Sequence, residues 1–220
     1  MRKLTYFVGS SIDGFIAAPD GGFDFLMAHV TEDYLPHLAA EYGDTLPTAG
    51  RAALGVADGP NTRFDTVLMG RATYALGLSA GLTSPYAHLR QIVLSRSLTT
   101  SPDPAVEVTA EDPLALVRKL KQEDGLGIWL CGGADLAGRL LPEIDELIVK
   151  QYPVVAGSGI PLFRADFSPH TFRLTDSRVF EGGNLVLTYA KASDQIGPEQ
   201  QPRMRFTARA RHDRTCREAP

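Results

Sequence analysis

Three short segments carry residues suited to gripping a phosphorylated ligand. In Thr66-Val67-Leu68-Met69-Gly70-Arg71-Ala72-Thr73-Tyr74 an apolar run ends at Gly70, a position where the backbone can approach a ligand closely. Arg71 then offers a guanidinium able to bind phosphate through two parallel hydrogen bonds, and Thr73 places a hydroxyl at the start of the following helix. A second run, Ile92-Val93-Leu94-Ser95-Arg96-Ser97, ends in the hydroxyl of Ser95 and the cation of Arg96. The third, Ile128-Trp129-Leu130-Cys131-Gly132-Gly133-Ala134-Asp135, ends in a glycine pair that opens a helix. Strand ends of this kind expose backbone N–H groups and helix N-termini, which favour phosphates. Each segment alone also has a plainer reading, since a glycine after a strand makes a turn and a single arginine is usually solvated.

The common nucleotide and hydrolase signatures are absent: there is no GxxxxGK[ST], no GxGxxG between a strand and a helix, and no GxSxG. The histidines at 29, 37, 88, 170 and 212 lack metal-ligand spacing, and Cys131 and Cys216 form neither a CxxC nor a Cys/His cluster. No metal site and no disulfide framework is expected, and a reducing cytoplasm fits best. Across 220 residues, 22 Lys+Arg stand against 26 Asp+Glu, so a formal charge of −4 offers no general attraction for nucleic acid or an anionic membrane. An anion site has to be local. No apolar run reaches the roughly 18 residues of a membrane span, and the first residues lack the apolar stretch of a secretory signal.

These segments need a layered frame to hold them. A hydrophobic content of 44% is enough for one ordinary domain core. Short runs rich in β-branched and aromatic residues predict strands at Leu4–Val8, Thr66–Met69, Gln91–Ser95, Val106–Val108, Gly127–Cys131, Glu146–Pro153, Phe172–Phe180 and Leu185–Ala190. Helices are expected near Tyr34–Ala40, after Gly70, at Pro113–Asp124 and at Asp135–Leu140, with Asp112 as a cap before Pro113. Glu181-Gly182-Gly183-Asn184 separates two alternating runs and predicts a hairpin, which makes the last pair antiparallel and the sheet mixed. Composition changes at about Ala192. From Ser193 to Pro220 six arginines face four acids, a local +2, which leaves −6 on residues 1–192. The chain therefore divides into a domain over 1–192 and a basic tail over 193–220, expected to be a poorly ordered appendage, with a nucleic-acid arm as the other reading.

Taken in order, Ser10-Ser11-Ile12-Asp13-Gly14-Phe15-Ile16-Ala17, Met69-Gly70-Arg71-Ala72-Thr73-Tyr74, Leu94-Ser95-Arg96 and Cys131-Gly132-Gly133-Ala134-Asp135 resemble the dihydrofolate reductase-like superfamily. The branch they resemble is related to the C-terminal reductase domain of bacterial riboflavin biosynthesis, and it includes the loop Gly157-Ser158-Gly159-Ile160-Pro161-Leu162-Phe163. The resemblance covers roughly residues 2–191. It implies a three-layer α/β/α domain with a mixed, mostly parallel central sheet and a C-terminal antiparallel hairpin.

The same resemblance implies NADPH as cofactor. Arg71 would face the 2′-phosphate with Ser95 and Arg96 beside it, Gly70 and Thr73 would lie at the phosphates, and Gly132-Gly133 would set the pyrophosphate against Ala134, Asp135 and Leu136. A physical ground points the same way, because two guanidinium groups converging on one site are poorly used by a ribose without the extra phosphate. The segment after the first strand would form a lid over the nicotinamide, with Val8, Gly14, Ile16 and Ala17 in contact. Asp13 has two readings: half of an Asp-Gly turn, or a carboxylate that orients substrate or relays a proton. The Pro-Trp pair of true dihydrofolate reductases is missing, since the corresponding stretch reads Gly21-Gly22-Phe23-Asp24-Phe25-Leu26. Folate reduction is therefore disfavoured. The expectation is an NADPH-dependent reductase of a small heterocyclic or carbonyl substrate, acting as a homodimer. Reduction of the ribosylaminopyrimidine of the riboflavin pathway, or a non-catalytic NADP-binding sensor, are the alternatives.

Overall fold

The computed structural model describes residues 1–56 and 59–192, so the basic tail at 193–220 lies outside the described residues. The chain opens with β1 (Leu4–Ser10), β2 (Phe15–Ala17), α1 (Asp24–Met27), α2 (Tyr34–Tyr42) and α3 (Thr48–Ala53). It continues with β3 (Phe64–Gly70), α4 (Arg71–Ser79), β4 (Arg90–Leu94), β5 (Val106–Thr109) and α5 (Pro113–Gln122). Last come β6 (Gly127–Gly132), α6 (Ala134–Leu140), β7 (Glu146–Gln151), β8 (Ile160–Pro161), β9 (Phe172–Val179) and β10 (Leu185–Lys191).

Eight strands form one sheet in the order β5-β4-β3-β6-β1-β7-β10-β9, and β2 pairs with β8 in a separate two-stranded sheet. Neighbours from β5 through to β7 are parallel, whereas β10 runs antiparallel to both β7 and β9. All eight strands read from the sequence are present, and so is the hairpin, whose turn is closed by Phe180 N–H donating to the Asn184 carbonyl at 3.0 Å. The four expected helices are α2, α4, α5 and α6. What the sequence did not announce are α1, α3, β2 and β8, each too short to show a period.

The strands alternate between two cores, because successive side chains leave opposite faces. Phe7, Val67, Met69, Trp129 and Ile148 join Leu38 and Tyr42 of α2 and Tyr74 of α4 on one face. Tyr6, Val8, Leu68, Leu130 and Ile128 meet Leu116, Val117 and Leu120 of α5 and Leu136, Ala137 and Leu140 of α6 on the other. The cap on α5 is as the sequence predicts, with the Asp112 carboxylate accepting from Ala115 N–H at 3.0 Å.

The two ends of the sheet differ in chemistry. Where β1, β3 and β6 begin, the buried Arg2 donates to the Leu126 carbonyl at 2.6 Å and to Thr66 Oγ1 at 2.8 Å, and pairs with Asp65 and, at 3.5 Å, Glu123. Asp65 also accepts from Leu126 N–H at 2.7 Å. The opposite end, where these strands finish, carries the glycine-rich turns.

Candidate functional site

Parallel register brings the three phosphate-type segments together. Gly70 of β3 pairs with Leu94 of β4, so Arg71 and Ser95 follow side by side, with Arg96 next along. On the other flank Met69 pairs with Gly132, which sets the glycine pair beside the start of α4. Neither α4 nor α6 has a side chain capping its first N–H groups. In α6 the first intrahelical bond is Ala137 N–H to the Gly133 carbonyl at 2.9 Å, which leaves the N–H groups of Ala134, Asp135 and Leu136 outside the helical ladder.

The space between these turns is one that side chains would fill. A Cβ on Gly70 would stand 3.5 Å from the Gly132 carbonyl oxygen and from Gly133 N, and 3.9 Å from Leu136 Cβ. On Gly133 it would stand 3.6 Å from Thr73 Oγ1, and on Gly132 3.8 Å from the same oxygen. Gly132 also has φ of +132°, a conformation that favours glycine. The donor set suits a phosphorylated dinucleotide: three glycines, the hydroxyls of Thr73 and Ser95, uncapped N–H groups and two exposed arginines, Arg71 and Arg96. Ser95 Oγ accepts from Leu98 N–H at 2.8 Å, so its hydroxyl hydrogen is left to donate outward.

Other residues named from the sequence are placed differently. The Asp135 side chain is ion-paired with Arg164 at 3.0 Å, so only its backbone N–H faces the turn. Val8 is buried in the core on the α5–α6 face, and Ile16 packs partly against that same core. Gly14 turns the chain with φ of +85°, and Ala17 is buried where β2 pairs with β8. The loop holding these residues is pinned to the segment at 154–162. Ile12 N–H donates to the Val154 carbonyl at 2.8 Å, and Leu162 N–H to the Gly14 carbonyl at 2.9 Å.

Asp13 fastens that clasp. Its carboxylate accepts from Ser11 Oγ at 2.6 Å, Ala156 N–H at 3.0 Å and Gly157 N–H at 2.7 Å. The Ser11 hydroxyl and the two N–H groups hold the carboxyl down to about 2. A group that stays ionised through neutral pH supplies no proton, so the bonds fit the turn reading of Asp13, and of the other reading they leave a carboxylate that orients substrate.

One functional candidate escaped the sequence reading. Lys150, next to last in β7, places its Nζ 4.3 Å from the centre of the Phe7 ring. Burial pushes this amine down to about 8. Nearby, burial pushes the Cys131 thiol up to about 11, so it is protonated and unreactive at neutral pH. The signal for Lys150 was a charge directly after the apolar run Leu147-Ile148-Val149, which the strand assignment absorbed.

Among the described residues there is no cluster able to hold a metal ion, and no helix is long and apolar enough to cross a membrane.

Comparisons with known proteins bear on this arrangement. Among solved structures, a Shewanella sp. PV-4 protein named for riboflavin biosynthesis superposes with a TM-score of 0.66 at 24% identity, covering 88% of this chain and 100% of that one. The Thermotoga maritima diaminohydroxyphosphoribosylaminopyrimidine deaminase/5-amino-6-(5-phosphoribosylamino)uracil reductase gives 0.57 at 15%, with 87% of this chain matched to 57% of the larger one. Enterococcus faecalis dihydrofolate reductase, solved with NADP(H), gives 0.58 at 16% over 87% of this chain and 97% of its own. These establish the dihydrofolate reductase-like fold. In sequence, the uncharacterised Bacillus subtilis protein YwjB is 34% identical over 193 residues, 87% of this chain and 99% of YwjB. Its uncharacterised compatriot YyaP is 28% identical over 201 residues. The RibD C-terminal domain model matches residues 2–187, and the chain belongs to that family.

Proposed function

We propose that the chain is an NADPH-dependent reductase of a small heterocyclic or carbonyl substrate. The observation that carries this reading is the side-chain-free space bordered by Gly70, Gly132, Gly133 and Thr73, with Arg71 and Arg96, both exposed, following the neighbouring strand ends of β3 and β4. Arg71 and Arg96 would pair with the 2′-phosphate, and Thr73 and Ser95 would donate their hydroxyls to phosphate oxygens. The N–H groups of Ala134, Asp135 and Leu136 would face the pyrophosphate. A bound dihydronicotinamide would supply the two-electron reduction. The segment Gly14–Ala17, clasped through Asp13, would close over it and exclude water.

A finer reading is reduction of 5-amino-6-(5-phosphoribosylamino)uracil, favoured by membership of the RibD C-terminal domain family and by the fold shared with the Thermotoga enzyme. Work in a reducing cytoplasm suits both readings.

Titration with NADPH and NADH, followed by nicotinamide fluorescence, tests the cofactor. Two charge-assisted contacts worth about 1.5–3 kcal/mol each are lost in an Arg71→Ala/Arg96→Ala variant. NADPH binding is expected to weaken at least tenfold, with NADH nearly unchanged. If wild type binds neither nucleotide at millimolar concentration, the reductase reading fails.

A further inference from the structure

Reduction of a C=O or C=N bond needs a proton on the heteroatom as well as hydride on the carbon. Asp13 cannot supply it, because its clasp keeps it ionised. At the ligand end of the sheet, Lys150 is a charged side chain set among apolar and neutral groups.

Its position follows from the register. Lys150 pairs with Gly9 on β1 and with Val186 on β10. A dinucleotide anchored at β3 and β4 by its phosphates would extend along the strand ends past Gly132-Gly133 toward β1 and β7. Four strand spacings separate β4 from β7, roughly 19 Å of sheet. Lys150 therefore stands beyond the phosphate cradle, at the far end of that path. It also stands on the face away from the lid. Ile16, Leu162 and Phe163 lean on the α5–α6 core, whereas the Phe7 ring under Lys150 belongs to the other core.

The neighbours leave the ammonium without a charge partner. From β1 comes the Phe7 ring at 4.3 Å, itself packed 4.8 Å from the Tyr42 ring of α2. From β6 comes the Cys131 thiol, neutral at working pH, with Tyr86 hydrogen-bonded behind it and its phenol raised by burial. On β7 itself the next residue on this face is Tyr152, whose phenol is also raised by burial, and β10 presents Val186. The closest cation by register is Arg178 of β9, opposite Val186 and one strand further out. No carboxylate among the described residues pairs with Lys150, although every other described lysine with an ion pair has one at 3.3 Å or less. An ammonium resting on an aromatic face, with its donors unspent, is arranged for a ligand acceptor.

We propose that Lys150 is the proton donor of the reduction, with its Nζ directed at the oxygen or nitrogen of the substrate's C=O or C=N group. This deepens the reductase reading and rests on it. Lys150 Nζ gives its proton to the heteroatom as the π electrons of the double bond move onto that atom. A bound dihydronicotinamide would supply the hydride that the carbon takes, being oxidised to the nicotinamide, and the neutral amine of Lys150 regains a proton from solvent. Substrates are accordingly polar carbonyl or imine compounds whose heteroatom can reach β7. Isolated C=C bonds are not.

The test uses the full chain and the variants Lys150→Met and Lys150→Arg. NADPH titration by nicotinamide fluorescence is expected to agree within twofold across all three, which shows that the variants fold and keep the cofactor site. The chain has only five lysines, 3, 119, 121, 150 and 191, so 13C-methylated amines can be followed singly by NMR. The signal missing from Lys150→Met is expected to titrate near 8. With 5-amino-6-(5-phosphoribosylamino)uracil and dihydrofolate offered as acceptors, the wild-type rate should fall as pH rises through about 8, as the ammonium loses its proton. Lys150→Met should lose about 100-fold or more in kcat, and Lys150→Arg should lose the alkaline limb, because guanidinium stays protonated. A Lys150 signal with no inflection near 8, or turnover in Lys150→Met within threefold of wild type, overturns the assignment of Lys150 while NADPH binding stands. Failure of wild type to bind NADPH removes the reductase reading and the donor role with it.

Discussion

Asp13 is the residue where chemistry and architecture compete most directly. Its partners Ala156 and Gly157 lie 143 and 144 residues away, so no local pattern could reveal them. An Asp-Gly pair advertised a turn, and the turn is there, but the clasp that employs the carboxylate is a product of the fold. Asp13→Ala is expected to speed amide exchange at Ala156 and Gly157 at least tenfold, with global melting close to wild type. The sign of its pH dependence is set by the lowered folded value. The clasp contributes fully above the unfolded value near 4, and it is lost as pH falls through about 2. NMR exchange rates at the two amides between pH 5 and pH 2 check this. The strand-end positions of Arg71 and Ser95 were legible because each directly follows a strand, with Arg96 one residue and Thr73 two residues further on. Lys150 was not, because its meaning depends on which strands flank β7.

At the scale of elements, the long strands were legible as short runs rich in β-branched and aromatic residues and the helices α2, α4, α5 and α6 from their helical patterns, with α5 adding its Asp112 cap. The pairing of β2 with β8 was not, since three residues and two cannot display alternation and their register is fixed by the clasp. The junction of β3 with α4 yields a discriminating variant. Gly70 has φ of −75° and ψ of 161°, which alanine adopts freely, and the added Cβ would meet neighbours at 3.5 Å, an ordinary contact. Gly70→Ala should therefore keep stability within about 0.5 kcal/mol. Its methyl would occupy the space beside Gly132 and Gly133, so NADPH affinity is expected to drop about tenfold. A thermal melt paired with a fluorescence titration separates the two effects. Unchanged affinity would move the phosphates away from this turn.

Among the described residues the sheet ends in two edge strands, β5 and β9, and β9 carries the more exposed apolar side chains. β9 pairs only with β10, and its Leu174 and Val179 are 49% and 72% exposed. An edge strand of this kind invites pairing with another chain, and a two-fold dimer closes the β9 edge of both copies at once. We expect a homodimer in sedimentation equilibrium at micromolar concentration, shifted to monomer by Leu174→Lys/Val179→Lys. A monomeric wild type would reject that assembly.

The sheet also keeps its two ends for different purposes. Arg2, Asp65 and Glu123 bind β1, β3 and the end of α5 together where the strands begin, while the turns proposed to hold the cofactor's phosphates sit where they finish. Drift in the turns can therefore reshape what the molecule recognises without loosening the knot that holds it shut. Substitutions in the knot can tune how long the chain survives without altering what it accepts. A lineage carrying this domain can change its substrate and its durability on separate schedules.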